Sequence, residues 1–227
     1  PVSRLVDRCL TQGMSEYMLY WVLHYHRNFG DYANMRDQGE WRHIPQEDAR
    51  RRRIGLLGLG ELGSDAAIKL AALDFDVAGW SRTPKDLPDV TSFHGPDGLK
   101  PFLARTDILI CLLPMTDATR GIINADTLAG LPKGAVFING ARGAHVVDQD
   151  LIAALDSGQL SAATLDVFHT EPLPADHPYW SHPKVVVTPH MASLTIAHSA
   201  AAYVAENIRR IERGEQALNI VNFSAGY

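Results

Sequence analysis

The sequence predicts an α/β protein built on a doubly wound parallel sheet. Strand-like and helix-like segments alternate along most of the chain, a pattern typical of parallel strands joined by helical crossovers. The segments 107–114 and 135–139 are continuously apolar, as expected for strands buried on both faces. A glycine-rich turn at residues 53–63 joins the first strand of this pattern to a helix. Right-handed crossovers would then place the carboxyl ends of all strands on one edge of the sheet.

The chain before the glycine-rich turn predicts a helix followed by an arm. Ser15 and Glu16 indicate the start of the helix, and residues 31–49 an arm or long loop. The arginine run 50–53 is typical of a solvated edge. The predicted helix carries an apolar stripe, which consists of Met14, Met18, Trp21, Tyr25 and Phe29. Such a stripe is typical of a helix that faces the core and also of a subunit interface, and the two roles are compatible.

The turn itself matches the G-x-G-x-x-G motif of dinucleotide-binding proteins. Gly58 permits a tight turn, Gly60 lets the backbone approach a pyrophosphate, and Gly63 allows close packing of helix on strand. The pyrophosphate would lie at the N-terminus of the next helix, where free N–H groups favour an anion. A glycine-rich turn without a ligand is the alternative, but the flanking strand and helix favour a dinucleotide site. The helix is predicted by a shared apolar face of Leu62, Ala66, Leu70 and Leu73.

The end of the second strand, 76–81, favours NADPH over NADH. An NAD site usually carries Asp or Glu there to bind the ribose 2′-hydroxyl, whereas this chain reads Ser81-Arg82-Thr83. Arg82 can bind a 2′-phosphate through charge-assisted hydrogen bonds, and the hydroxyls of Ser81 and Thr83 add donors. A solvated basic turn is the alternative.

The rest of the chain continues the alternation. A helix is predicted from Asp148, as its N-cap, to Gly158, and a last helix from 195 to 213. The tail 215–227 shows no periodicity. Shorter elements complete the pattern, with strands at 91–94, 162–168 and 184–188 and a helix at 98–104.

Three polar residues follow strand ends, where open α/β sheets bind their ligands. Arg142 comes after the 135–139 strand, Glu171 after the 162–168 strand and His190 after the 184–188 strand. Singly, each suits an ordinary loop position equally well, but together with a dinucleotide site they favour chemistry. Asp166 suits either a partner of the nicotinamide amide or a strand-end hydrogen-bond acceptor. No metal site is predicted: His24 and His26 are two apart, so a helix would point them in different directions, and the spacing of a zinc motif is absent from His145, His169, His177, His182 and His198.

Taken together, these segments resemble the D-isomer-specific 2-hydroxyacid dehydrogenase family, and within it the glyoxylate/hydroxypyruvate reductase subgroup. They follow the family's order and spread over almost the whole chain. They are Gly58–Gly63, Trp80–Thr83, Leu112–Pro114, Asn139–Gly143, Leu165–Phe168, Glu171–Pro174, Thr188–His190 and the closing Gly226-Tyr227.

The resemblance implies catalytic roles. Arg142 would bind the carboxylate of a 2-oxo acid and polarise its carbonyl, and His190 would donate a proton as hydride arrives from the nicotinamide. Glu171 would orient the imidazole and keep it protonated. Trp41 would reach the active site of a neighbouring subunit, so Arg142, His190 and Trp41 form the implied substrate set.

The resemblance also implies an NADPH site in which NAD binds more weakly. Leu113 and Pro114 would line the adenine side and Asp166 would meet the nicotinamide end. The full implied set is Leu59, Gly60, Glu61, Leu62, Trp80, Ser81, Arg82, Thr83, Leu112, Leu113, Pro114, Thr119, Asn139, Ala141, Arg142, Asp166, His190 and Ala192.

Two lobes are implied as well. Residues 15–193 would form the dinucleotide-binding (Rossmann) domain, with residues 15–45 building a homodimer. Residues 1–14 and 194–227 would be remnants of a flavodoxin-like substrate lobe whose N-terminal part, with a carboxylate-binding loop, lies outside this sequence. We therefore expect this chain to bind NADPH better than it turns over substrate. We also expect it to expose an apolar patch. A nucleotide-sensing regulator that lacks turnover is the alternative to a reductase of glyoxylate or hydroxypyruvate.

Bulk composition narrows the partners. The 227 residues carry a net charge of −5 with a pI near 6.0, which argues against nucleic acid or a membrane surface as the main partner. The two cysteines do not form a disulfide framework, and neither a membrane-length apolar run nor a signal peptide is visible. A cytoplasmic enzyme is expected.

Overall fold

The computed structural model describes residues 2–221, which build a seven-stranded, all-parallel sheet with helices on both faces. The predicted α/β class is therefore confirmed. In chain order the strands are β1 (Arg53–Leu57), β2 (Asp76–Ser81), β3 (Val90–His94), β4 (Ile108–Cys111), β5 (Ala135–Asn139), β6 (Leu160–Leu165) and β7 (Val185–Val187).

The strand order across the sheet is β3-β2-β1-β4-β5-β6-β7. The order reverses between β1 and β4, which pair in register from Ile54–Ile108 to Leu57–Cys111. A crevice opens at such a switch point, outside the carboxyl ends of the strands. The glycine turn follows β1 directly and therefore lies at this crevice.

Seven helices accompany the sheet within residues 2–221. They are α1 (Arg8–His26), α2 (Phe29–Asp37), α3 (Glu61–Ala71), α4 (Gly95–Ala104), α5 (Ala125–Ala129), α6 (Asp148–Asp156) and α7 (Ala197–Glu212), with short 3-10 turns at Ala49–Arg51, Gly143–His145 and Pro178–Trp180. None of these helices has both the length and the apolar character that crossing a membrane requires.

The buried residues form two cores, one on each face of the sheet. On one face α1 and α3 pack over Ile108 and Ile110 of β4, while α4, α5 and α6 pack on the other face over Leu109 and Cys111. Successive residues of β4 thus enter opposite cores, which is why its sequence is continuously apolar.

Helix α1 begins seven residues before the predicted start at Ser15. Asp7 caps it, because its carboxylate accepts hydrogen bonds from the backbone N–H groups of Cys9 and Leu10. Ser15 is fully buried within the helix, and its hydroxyl donates to Asp65 of α3. The expected N-cap is therefore a helix–helix contact.

The region predicted as an arm is partly helical. Asn28, in the left-handed conformation with φ of 55°, separates α1 from α2. Only the following segment, residues 38–48, is irregular, and it carries Trp41 with 94% of its surface exposed. Phe29, a member of the predicted stripe, is also exposed. Helix α2 was not predicted, because it buries only Met35 and its apolar residues therefore show little helical periodicity.

Other predicted boundaries shift by a few residues. β4 stops at Cys111 rather than 114, and β6 stops at Leu165, so that Asp166 follows the strand. Asp148 is the first residue of α6 rather than its cap, because its carboxylate accepts a hydrogen bond from the Tyr179 hydroxyl at 2.8 Å. The five-residue α5 was not predicted, and Leu73, predicted for the apolar face of α3, lies beyond that helix and is exposed.

The tail, predicted to lack periodicity, pairs with the start of the chain. Ser3 and Ile220 form an antiparallel bridge, flanked by a 2.9 Å hydrogen bond from Arg4 N–H to the Asn219 carbonyl. Helix α7 supports this pairing, since Asn207 Oδ1 accepts from the Leu218 N–H at 2.7 Å. The predicted Gly226-Tyr227 signature lies outside the described residues.

Candidate active site at the carboxyl edge of the sheet

The three glycines of the turn serve different purposes. Gly58 has φ of 103°, and a Cβ there would lie 2.7 Å from the Leu112 carbonyl oxygen. A Cβ at Gly63 would lie 1.9 Å from the Gly58 carbonyl oxygen, so helix α3 requires glycine to approach β1. A Cβ at Gly60 would meet nothing within 4 Å. Gly60 therefore leaves open space at the N-terminus of α3, a cradle that fits a pyrophosphate.

The end of β2 lies beside this cradle. The Gly58 N–H donates to the Trp80 carbonyl at 2.9 Å, which brings the glycine turn next to Ser81 and Arg82. Arg82 and Thr83 are exposed, but Ser81 is buried and its hydroxyl donates to the Thr83 carbonyl at 2.7 Å. Ser81 is thus no free donor, contrary to prediction, because its proton is used to shape the turn that presents Arg82.

A cavity of about 650 Å³ extends from the glycine turn to the ends of β5, β6 and β7. The N-terminal segment closes one side through Arg4, Leu10 and Met14, none of which was predicted to line the site. The only sequence signal for these residues was their position near the start of the first helix, and that start was predicted too far along the chain. The predicted residues that line the cavity are Gly60, Glu61, Leu62, Leu112, Leu113, Pro114, Ala141, Arg142, Asp166, His190 and Ala192.

A histidine–carboxylate pair stands at the edge of this cavity. His190 Nδ1 lies 2.6 Å from Glu171 Oε2, and both side chains are partly exposed. Glu171 Oε1 accepts from the Phe168 N–H at 2.9 Å, and the peptide bond between Glu171 and Pro172 is cis. Partial burial opposes ionisation of Glu171, but the bonds from His190 and Phe168 and the charge of Arg142 hold its pKa below the ordinary value. Glu171 is therefore an anion that fixes the imidazole through Nδ1.

His190 is held in an uncommon backbone conformation. Its φ is 53°, in the left-handed region, and its N–H donates to the Asp166 carbonyl at 2.8 Å. The Asp166 carboxylate is buried and accepts from the N–H groups of Met191 and Ala192 at 2.9 and 2.8 Å. The strand-end acceptor role considered for Asp166 is thus present in the structure, on a residue that also lines the cavity.

Arg142 is presented by a buried framework. Asn139 is fully buried and bonds the Ala141 N–H and the Arg142 carbonyl, each at 3.1 Å. His145, which the sequence did not single out, has Nδ1 3.1 Å from the Arg142 carbonyl and Nε2 3.3 Å from that of Pro114. Burial lowers the pKa of His145, and because a neutral ring carries a single N–H, it donates to one of these carbonyls and only contacts the other. Its apolar neighbours in the sequence were the only signal of its burial.

The structure does not bring every predicted side chain to the cavity. Leu59 is buried in the α1–α3 core, and the Trp80 indole donates to the Gly95 carbonyl at 2.8 Å. The Thr119 hydroxyl donates to the Pro114 carbonyl at 2.7 Å and shapes that loop. Trp41 stands exposed on the arm. Within residues 2–221, His, Cys, Asp and Glu side chains form no cluster suited to a metal ion.

An open glycine turn at the switch point, beside a histidine held by a carboxylate, is the arrangement of a dinucleotide-dependent oxidoreductase. The family profile described as "D-isomer specific 2-hydroxyacid dehydrogenase, NAD binding domain" matches residues 19–192. The chain belongs to this family, as the sequence resemblance predicted.

Individual relatives agree. The chain is 46% identical to glyoxylate/hydroxypyruvate reductase A of Serratia proteamaculans (strain 568), over 100% of its own length and 72% of that protein. It superposes with a TM-score of 0.97 and 48% identity on a D-isomer specific 2-hydroxyacid dehydrogenase from Xanthobacter autotrophicus Py2 in complex with NADPH and MES, covering 100% of this chain and 94% of that one.

A third relative is the NADPH-dependent glyoxylate/hydroxypyruvate reductase of Sinorhizobium meliloti, solved with NADP and sulfate. It gives a TM-score of 0.94 at 41% identity and covers 100% of this chain and 73% of that one. The names of these relatives are those of reductases and dehydrogenases, so the comparisons do not support the regulatory alternative.

Proposed function

We propose that this chain catalyses the NADPH-dependent reduction of a small 2-oxo acid, with glyoxylate giving glycolate and hydroxypyruvate giving D-glycerate. The observation that carries the proposal is the 2.6 Å pair of His190 and Glu171, which lies at the cavity that begins at the open Gly60 cradle. Relatives named as glyoxylate/hydroxypyruvate reductases support the choice of substrates.

The residues at the cavity account for the reaction. NADPH, when bound, supplies the hydride. The Arg142 guanidinium binds the substrate carboxylate and draws electron density toward the carbonyl oxygen. Because Glu171 occupies Nδ1 of His190, Nε2 is the proton donor to that oxygen, and the anion of Glu171 stabilises the protonated ring before transfer. The partly exposed imidazole then regains a proton from solvent.

The cofactor site is proposed on the same geometry. The N-terminus of α3 at Gly60 receives the pyrophosphate, and exposed Arg82 binds the 2′-phosphate, so that NADPH binds more tightly than NADH. Leu113 and Pro114 provide an apolar wall for the adenine side. Asp166 Oδ2 accepts one protein hydrogen bond, from the Ala192 N–H, and serves the nicotinamide amide with its remaining capacity. Relatives solved with NADPH or NADP support this choice.

The assembly is proposed to be a homodimer formed through residues 15–45. Tyr20 and Phe29 expose 59% and 54% of their surfaces on this segment, and Trp41 stands exposed on the arm, where it can reach a partner's cavity. Residues 1–14 and 194–227 are proposed to belong to a substrate lobe, which the pairing of Ser3 with Ile220 supports. Free Cys9 and Cys111 suit a reducing, cytoplasmic location.

The deciding experiment follows NADPH oxidation with glyoxylate and with hydroxypyruvate, with NADH in parallel on the same preparation. We expect turnover that is selective for NADPH. Tight NADPH binding without turnover of either acid would overturn the reductase proposal, and equal rates with NADH would overturn the role of Arg82.

A further inference from the structure

A chain of hydroxyl groups connects α1 to the loop that carries His190. Tyr17 of α1 is buried, and its hydroxyl lies 2.7 Å from Thr188 Oγ1. The Thr188 hydroxyl in turn donates to Asp166 Oδ1 at 2.5 Å. A threonine hydroxyl has one proton, and here that proton points at the carboxylate. Tyr17 must therefore be the donor to Thr188, so the chain runs in one direction from Tyr17 to Asp166.

Asp166 is where this chain meets the catalytic loop. Through its carbonyl and both carboxylate oxygens it accepts the N–H groups of three consecutive residues, His190, Met191 and Ala192. His190 has φ of 53°, and a non-glycine residue keeps such a conformation only where its surroundings enforce it. The Asp166 carboxylate thus anchors Met191 and Ala192, the two residues after His190, and the Asp166 carbonyl holds His190 itself, so the placement of Asp166 sets the course of the histidine loop.

We propose that Tyr17, acting through Thr188, is a positioning residue for the reduction: it fixes the Asp166 carboxylate and so holds His190 where Glu171 and the substrate meet it. The kinetic consequence rests on the proposed reductase function, whereas the structural consequence does not. Burial, reinforced by the charge of Asp166, raises the pKa of Tyr17 well above its ordinary value. The phenol therefore stays protonated and remains a donor across the working pH range.

The same helix supplies a matched control. The Tyr25 hydroxyl of α1 lies 2.6 Å from Thr164 Oγ1, so Tyr25 repeats the tyrosine–threonine contact two helical turns further on. Thr164 lies inside β6, paired with Val186 of β7, and precedes the loop junction at Asp166. The Tyr25→Phe variant therefore loses a comparable hydrogen bond on α1 but keeps the hydrogen-bond chain from Tyr17 to Asp166 intact.

The kinetic arm compares Tyr17→Phe with Tyr25→Phe. We expect Tyr17→Phe to lower kcat about three- to tenfold, the loss of one buried hydrogen bond, with unchanged KM for the 2-oxo acid. Tyr25→Phe should leave kcat at the parent value. Thr188→Val removes the bond to Asp166 as well and should lower kcat at least as much as Tyr17→Phe, while Thr188→Ser, which keeps the hydroxyl, should retain the parent kcat.

The structural arm measures hydrogen exchange of the amides of His190, Met191 and Ala192. We expect severalfold faster exchange in Tyr17→Phe and Thr188→Val, and parent rates in Tyr25→Phe. Unchanged exchange in Tyr17→Phe overturns the proposal, and so does faster exchange with an unchanged kcat. If the parent chain reduces neither acid, the reductase function fails, while the exchange rates still decide whether Tyr17 holds the loop.

Discussion

At the scale of single residues, a histidine serves as the acid of the proposed reaction because of its position beside a carboxylate, and not because of its presence in the sequence alone. The chain has ten histidines, and His190 is the one that joins a carboxylate at 2.6 Å on the cavity edge. The lowered pKa of Glu171 keeps that carboxylate charged throughout the neutral range. The proposed proton transfer therefore depends on a pair of side chains.

Replacing the charge of Glu171 tests this dependence. Glu171→Gln keeps the size of the side chain but removes the anion, and we expect kcat to fall about ten- to a hundredfold, the range for a charge-assisted hydrogen bond. His190→Ala should cost roughly a hundredfold or more. Steady-state rates with NADPH and glyoxylate measure both, with the NADPH dissociation constant as the control. Near-normal turnover in either variant would remove that residue from the mechanism.

The choice of cofactor is also expected to depend on one residue. Arg82→Ala should weaken NADPH binding about tenfold or more and leave NADH binding unchanged, because only NADPH carries the 2′-phosphate. Lys85→Ala is the matched control, since Lys85 is an exposed cation of the same turn. Fluorescence titration gives the dissociation constants. Equal losses for both cofactors in Arg82→Ala would assign Arg82 to the shape of the turn instead.

At the scale of secondary-structure elements, the amino ends of β1 and β4 are joined by an ion pair, in addition to the backbone ladder between the two strands. The Asp107 carboxylate accepts from Arg53 Nη2 at 2.6 Å, and from Nε and the backbone N–H at 3.0 Å each. Partial burial opposes its ionisation, but the hydrogen bonds from Arg53 outweigh this effect and lower the pKa of Asp107. The pair therefore contributes stability above the ordinary pKa of aspartate, and this contribution is lost as pH falls through the lowered value.

Asp107→Asn should lower the free energy of unfolding by about 1–3 kcal/mol near neutral pH. The difference between the parent and the variant should begin to shrink as pH falls below about 4, where the carboxylate of the unfolded chain takes up a proton, and should be lost as pH falls through the lowered pKa of the folded chain. Urea unfolding at several pH values measures both effects. A difference that stays constant with pH would mean that packing, and not the charge, is responsible.

The elements that could be predicted from the sequence were those whose pattern comes from burial. β4 and β5 are buried on both faces, and their continuous apolar runs located them within a few residues. The elements that could not be predicted depend on individual polar contacts rather than on a repeating apolar pattern. Examples are the Asp7 cap of α1, the short α5 capped by the Asn124 side chain, and the pairing of the chain ends. Such contacts have no periodic signal.

The candidate site shows the same division. Arg142, Glu171 and His190 could be proposed from their places after strands, because parallel topology gathers strand ends at one edge. Asn139 was implied for the cofactor site, but its buried contact with the Arg142 carbonyl was not predicted, and neither was the position of His145 between that carbonyl and the Pro114 carbonyl of another loop. Those contacts depend on how the loops meet, and this is not readable before the fold is known.

At the scale of the whole molecule, exposed apolar side chains within residues 2–221 include groups on two different helices. One is on α1, where Tyr20 lies, and the other on α7, where Val204, Ile208 and Ile211 each expose at least half of their surface. Exposed apolar patches of this kind favour association. The two faces are on different helices, so their contributions can be separated.

Paired substitutions distinguish these faces. Tyr20→Glu should convert the proposed dimer into a monomer, because it would bury a charge in the interface, whereas Ile208→Glu on α7 should leave the dimer intact. Size-exclusion chromatography with light scattering measures both. A parent chain that runs as a clean monomer would contradict the dimer, and dissociation by Ile208→Glu would place the interface on α7.

The pairing of residues 2–4 with 219–221 has a consequence for the order of folding. The Ser3 hydroxyl and the Leu218 carbonyl that it contacts are 215 residues apart in sequence. Contacts of such separation carry the largest loop-closure entropy and lower the rate at which a chain reaches its native state. The neighbouring strands β1 and β2, by contrast, are joined by a single helical crossover. During synthesis the sheet can therefore assemble before residues 2–4 form their contacts, because those contacts require nearly the entire described chain to have emerged.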